Sequence, residues 1–88
     1  MAILNSSVSV GLTSTTVLNT NDAPMLIIMC NDSDTDIYVS IWDAAVLNKG
    51  ILLNASGGSI TIDTSSVVVQ KIYAISSWAA KRLTITTV

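Results

Sequence analysis

The sequence predicts an all-β fold: one small β-sandwich of about seven strands, Ig-like or jelly-roll-like, spanning residues 1–88. Three observations predict it. The chain has no Glu, one Gln, three Lys and one Arg, while Ser, Thr, Val and Ile are abundant. β-branched side chains suit a pleated surface and lose χ1 freedom in a helix. Several short segments alternate apolar and polar residues with period two, and none has convincing helical periodicity. Clusters of turn-forming residues separate these segments, as in a sandwich or small barrel.

The elements follow in chain order. Residues 1–5 read as a partly apolar N-terminal arm. Val8, Val10 and Leu12 alternate with Ser9, Gly11 and Thr13, so 6–13 reads as a strand, which 14–18 extends past a bulge or bend at Gly11. The Asn-Thr-Asn-Asp cluster at 19–22 is a turn leading to Pro24, and Pro suits the first position of a strand. Residues 25–42, the centre of the pattern, read as a hairpin. Its first strand, Met25 to Cys30, is a continuous apolar run expected to be covered on both faces. Asn31, Asp32, Ser33 and Asp34 form the turn, because their short polar side chains bond nearby backbone groups. In the second strand, Ile37, Val39 and Ile41 face the core and alternate with Tyr38, Ser40 and Trp42.

Beyond Trp42, Asp43 is placed to cap a short helical turn over 44–47, which Asn48, Lys49 and Gly50 would end. Strands follow at 51–53 and 59–63, joined by a loop whose Gly57 and Gly58 permit positive φ. Residues 64–69 fit a loop or a strand, and 71–77 and 81–88 are two more strands. The expected core comprises Ile27, Val39, Ile41, Ile62, Ile75 and Ile85.

Half the residues are hydrophobic and the mean hydropathy is +0.62. A chain this short buries only roughly 60–65% of its unfolded surface. Part of the apolar surface is therefore expected to lie against other chains, most simply as a homo-oligomer, for which a trimer is the expectation. A net charge of −2 with four scattered basic residues leaves no footprint for nucleic acid. The longest apolar run falls far short of the roughly 20 residues that cross a bilayer as a helix. No secretory signal is read at Met1, so the chain is expected to fold in a cytosol and the sequons at Asn5, Asn31 and Asn54 to stay unmodified. Cys30 is expected to be an inert packed thiol.

Constellations for chemistry are weak. Asp32, Asp34, Asp36 and Asp43 fall at positions 1, 3, 5 and 12 of an EF-hand count. The loop would need Gly where Ile37 stands and Glu where Asp43 stands. An extended 37–42 would also carry Asp43 about 20 Å from Asp36. With no His and no Glu the usual general bases are missing, no Ser-x-x-Lys occurs, and Gly57-Gly58 lacks the motif of a phosphate loop. The chain is expected to be no enzyme and to need no cofactor or metal, Asp32, Asp34 and Asp36 reading as a solvated acidic turn with a weak surface Ca²⁺ site as the alternative. Trp42 and Trp78 have two readings: they fold back over the rim of the core, or they anchor a partner, a role in which Trp is enriched.

The segments NDSDTDIYVSIW, GILLNASGGSITID, KIYAISS and RLTITTV, taken in this order, resemble small all-β virion proteins of tailed bacteriophages. The resemblance covers about residues 25–88. Trp42 and Trp78 depart from it, standing where small residues, Gly especially, are expected. It implies a non-enzymatic structural protein at the virion surface, made in the host cytoplasm. A capsid decoration (cement) protein bound to the major capsid protein or another virion protein is the first expectation. A neck, tail or fibre component, or a sandwich that stacks Trp42, Trp78 and Tyr38 on sugar rings, is the alternative. The partner-facing residues are expected to be Trp42, Trp78, Tyr38, Ile3 and Leu4.

Overall fold

A computed structural model describes residues 3–19, 24–64, 69, 71–78 and 80–88. Of the turn expected at 19–22 only Asn19 is described, and it ends a strand; the rest of that turn, most of the ambiguous 64–69 stretch and the start of the N-terminal arm lie outside these residues. Among the described residues the chain forms an all-β sandwich with eight strands: β1 (Leu4–Val10), β2 (Thr15–Asn19), β3 (Leu26–Asn31), β4 (Ile37–Ile41), β5 (Ile51–Leu53), β6 (Ser59–Asp63), β7 (Lys71–Ser76) and β8 (Lys81–Thr87).

Two four-stranded antiparallel sheets have the orders β1-β8-β3-β6 and β2-β7-β4-β5. Four of the pairings are nested: β4 with β5, β3 with β6, β2 with β7, β1 with β8. The chain is thus one long hairpin ribbon, folded over and closed by the β3–β8 and β4–β7 pairings. This is the jelly-roll arrangement of the sandwich.

The topology corrects several expectations. The 25–42 segment is not a hairpin: β3 and β4 belong to opposite sheets, and 32–36 is a corner between layers. The same turn chemistry serves either geometry, and Asn31 selects the corner. Its buried side chain donates to Leu53 O and Thr35 O, both at 2.9 Å, and accepts from Ser33 Oγ at 2.6 Å. Residues 15–19 likewise do not continue the first strand; they form an edge strand of the other sheet. Thr15 Oγ1 holds that corner, accepting from Gly11 N–H and donating to Thr13 O. Nor does the arm reach residue 5, since Leu4 and Asn5 pair with Thr87 and Thr86, and Thr86 Oγ1 reaches Asn5 Oδ1 at 2.7 Å.

Val10, Ile27, Met29, Ile37, Val39, Leu53, Val69, Ile72, Ala74, Leu83 and Ile85 form the core between the sheets, with Ile41 and Ile62 packed against it partly buried. Ile75 is buried too, but outside that core. In β7 it alternates with the inward Ile72, Ala74 and Ser76, so it faces out. The 42–50 connection crosses that outer face, tied down by Ala45 N–H to Ser14 Oγ and Tyr38 Oη to Asn48 Oδ1. No helical turn forms there. Residues 44–46 take no regular structure, and one tight turn, Lys49 N–H to Val46 O at 3.2 Å, reverses the chain with Asn48 and Gly50 at φ +66° and +89°. β3, expected to be covered on both faces, is covered on one: Ile27 and Met29 are buried, whereas Ile28 is 37% exposed. A sandwich has two layers, so only one face of each sheet meets the other.

Candidate functional site

The nested ribbon gathers the connections 11–14, 32–36, 54–58 and 77–80 at one end of the sandwich, here called the corner end. They brace one another through the backbone. Ser56 N–H donates to Ser33 O, Gly57 N–H to Asn31 O, Asn31 N–H to Gly58 O and Ser76 N–H to Gly11 O. The close approach at 54–58 requires Gly58, because a Cβ there would sit 2.3 Å from Asn54 N.

Two ion pairs clamp the 32–36 corner to β8: Lys81 Nζ to Asp34 Oδ1 and Arg82 Nη2 to Asp32 Oδ2, each 2.6 Å. The hydrogen bond from Lys81, with its charge and a hydroxyl contact from Thr35, holds the Asp34 carboxyl below the usual aspartate value. Asp36 turns elsewhere and accepts from Ala55 N–H at 2.8 Å. The three carboxylates therefore point to three different partners. Among the described residues no three His, Cys, Asp or Glu side chains come together as a cation-holding group.

A groove of about 550 Å³ runs beside this corner, lined by Cys30, Asn31, Asp32, Ser33, Asp34, Ser56, Gly57 and Thr84. Cys30 is half-buried in its wall and points away from the core, as its place between Met29 and Asn31 dictates. The thiol is thus less enclosed than a continuous apolar run suggested.

Trp78 projects from the corner end, 67% exposed. Its backbone is held on one side, where buried Ser76 donates its hydroxyl to Trp78 O, and Ala80 beyond it takes φ +62°. Leu12, also exposed, follows the Gly11 carbonyl that accepts from Ser76. The corner end therefore presents an indole and a leucine together with two ion pairs.

The other predicted residues lie elsewhere. Ile3 and Leu4 are at the opposite end, where β1 starts and β8 finishes, and both are exposed. Met25 is exposed there as well and lines, with Leu26, Asp63, Thr64 and Val88, a mostly apolar groove of about 400 Å³. Trp42 is at this end too, its backbone N–H donating to Lys71 O. It is 44% exposed and sits at φ +75°, the left-handed region that favours glycine. β7 runs from Lys71 at this end to Ser76 at the corner end, which separates the two tryptophans by roughly 20 Å. Tyr38 is half-buried on the outer face of its sheet, tied to Asn48. The three aromatics do not converge on one platform.

Sequence reasoning missed Leu12, Met25, Val46, Leu47 and Leu52 as exposed apolar positions. Leu12 and Leu47 carried a local signal, since each sits beside turn formers. Met25 and Leu52 carried none, since each reads as part of a buried strand.

No protein-family model matches the chain, and neither does any curated protein. The fold does match a solved structure from work describing Bacillus endospore appendages as a novel family of disulfide-linked pili. The TM-score is 0.60 at 13% identity, over 98% of this chain and 84% of that one. At that identity the likeness is one of fold.

Proposed function

We propose that this chain is a non-enzymatic structural subunit that works packed against other protein in a repetitive assembly. The carrying observation is Trp78, a 67% exposed indole on a connection held by a buried hydroxyl and braced against 11–14. An exposed indole adds little to folding, whereas burying one at an interface contributes on the order of 2 kcal/mol or more. The resemblance of 25–88 to tailed-phage virion proteins favours a phage head as the setting. There the chain would decorate the capsid by binding the major capsid protein, having been made in the host cytoplasm.

A filament subunit is the second reading, favoured by the fold likeness to the endospore appendage protein. Its linkage would differ. These 88 residues hold one cysteine, which can couple copies in pairs but cannot link each copy to both neighbours. Stacking on sugar is less well supported, because Trp42, Trp78 and Tyr38 lie on different surfaces.

The test is Trp78→Ala. Its denaturation midpoint is expected to stay within about 0.5 kcal/mol of the parent, as for a surface substitution. Its occupancy on the native particle or filament, counted by mass spectrometry, is expected to fall at least tenfold. A loss of several kcal/mol in folding with unchanged occupancy would make Trp78 a structural residue and overturn the reading.

A further inference from the structure

An antiparallel sandwich ends in four edge strands, each a row of backbone donors and acceptors open to another chain unless something blunts it. Three of the four edges here are blunted. β5 is three residues long, β2 carries a register shift between Thr16 and Leu18, and β6 is five residues long and ends in the charged Asp63. β1 is different. It is seven residues long, pairs with β8 without a break, and contains no charged residue, proline or glycine. Leu4, Asn5, Ser6, Ser7 and Ser9 are exposed along it.

From this contrast we infer that β1 is a pairing edge whose occupant is the β1 of a second copy, antiparallel to the first. The inference rests on the self-assembling role proposed above and names the surface that serves it. The occupant is argued from the strand's own symmetry. Leu4, Ser6, Val8 and Val10 share the inward face with Leu83 and Ile85, while Asn5, Ser7 and Ser9 face out. Cross-strand neighbours lie on the same face of a sheet, so a two-fold pairing that keeps both inner faces together sets even positions opposite even. The register that overlaps all seven residues is centred on Ser7. Leu4 then meets Val10, Ser6 meets Val8, Asn5 meets Ser9, and Ser7 meets Ser7 of the other copy. Leu4, 65% exposed in the single chain, gains an apolar partner, and no like charges are brought together. The result is one continuous eight-stranded sheet across two copies, a two-fold unit instead of the trimer expected from composition.

Cysteine placement tests both partner and register. In this pairing the two Ser7 Cα atoms lie about 4.5–5.5 Å apart, within disulfide reach. The two Ser9 Cα atoms, four residues out of step, lie about 14 Å apart, beyond it. Under oxidised glutathione, Ser7→Cys in a Cys30→Ser background is expected to form a covalent dimer within minutes. Ser9→Cys in the same background is expected to stay monomeric on a denaturing gel. Ser7→Lys, which sets like charges face to face, is expected to weaken the dimer several-fold by sedimentation while leaving the circular dichroism spectrum unchanged. Equal crosslinking of Ser7→Cys and Ser9→Cys overturns the register. An oligomer indifferent to Ser7→Lys overturns the edge but leaves self-assembly standing. A chain that is monomeric alone yet fully occupies its native particle overturns the edge while the assembly role survives.

Discussion

Asn31 is the residue whose loss tests the sandwich most directly. Its side chain is fully buried and makes three hydrogen bonds, one of them across the layers to Leu53 O. Each such bond contributes about 1 kcal/mol net, and stranding a buried carbonyl costs a further 1–3 kcal/mol. Asn31→Ala is thus expected to cost about 4 kcal/mol, a large part of the roughly 4–13 kcal/mol available to a domain of this length. In a thermal melt the midpoint should fall by on the order of 15 °C or more. Asn31→Asp sharpens the test. Its carboxylate would face Thr35 O and Leu53 O, two acceptors that the amide served as donor. Burial and these dipoles raise the folded-state pKa above the unfolded value near 4. Between those two values the folded state binds more protons, so the variant loses stability as pH rises and regains it on acidification. Urea titrations from pH 4 to 8 should show the gap to the parent widening with pH. A variant within about 0.5 kcal/mol of the parent at pH 7, or a gap that ignores pH, would refute the role of Asn31 as the tie between layers.

Three other predictions concern backbone and charge. At Trp42, φ +75° strains any residue with a Cβ, so Trp42→Gly should be more stable than Trp42→Ala by about 1 kcal/mol; equal urea midpoints would count against the strain. Gly50→Ala combines φ +89° with a Cβ 2.5 Å from Val39 O, and should cost about 2 kcal/mol or more. Hydrogen exchange should place that loss at the β4–β5 pairing. Asp34 should titrate below the ordinary aspartate value by NMR and move back up in Lys81→Met. The sign follows from linkage: the lowered folded pKa contributes stability above the unfolded pKa, lost as pH falls through the folded value.

Alternation made β4, β6 and β8 legible, because each has one buried and one outward face: Ile37 and Val39, Ile60 and Ile62, Leu83 and Ile85 point inward. Which sheet a strand joins was not legible. Asn31, Ser33 and Asp34 serve a hairpin and a corner equally well; the difference lies in Leu53, twenty-two residues away, whose carbonyl Asn31 reaches. Ile75 is buried as expected, but its burial on the outer face was not legible either. Its cover is the 42–50 connection laid over the outer face, and no local period reports a loop from elsewhere in the chain. The candidate surfaces were half legible. Trp78 and Leu4 stood out by residue type and by position, whereas the open edge of β1 follows only from knowing that β8 covers its other side.

The nesting of the strand pairs also sets a timetable. β4 and β5 can meet first, across a connection of nine residues, whereas β1 and β8 join positions as far apart as Leu4 and Thr87. Closing such distant contacts is slow, and sandwiches of this kind fold in milliseconds to seconds. β8 sits between β1 and β3, so sheet closure waits until β8 has been synthesised. Until it arrives, β1 has no neighbour on either side, and the apolar positions of β3 lack half their ladder. A ribosome-bound chain lacking residues 81–88 should therefore stay protease-sensitive. Emergence of β8 should then convert the sandwich in a single step, so that a copy becomes competent to join others only once β8 is in place.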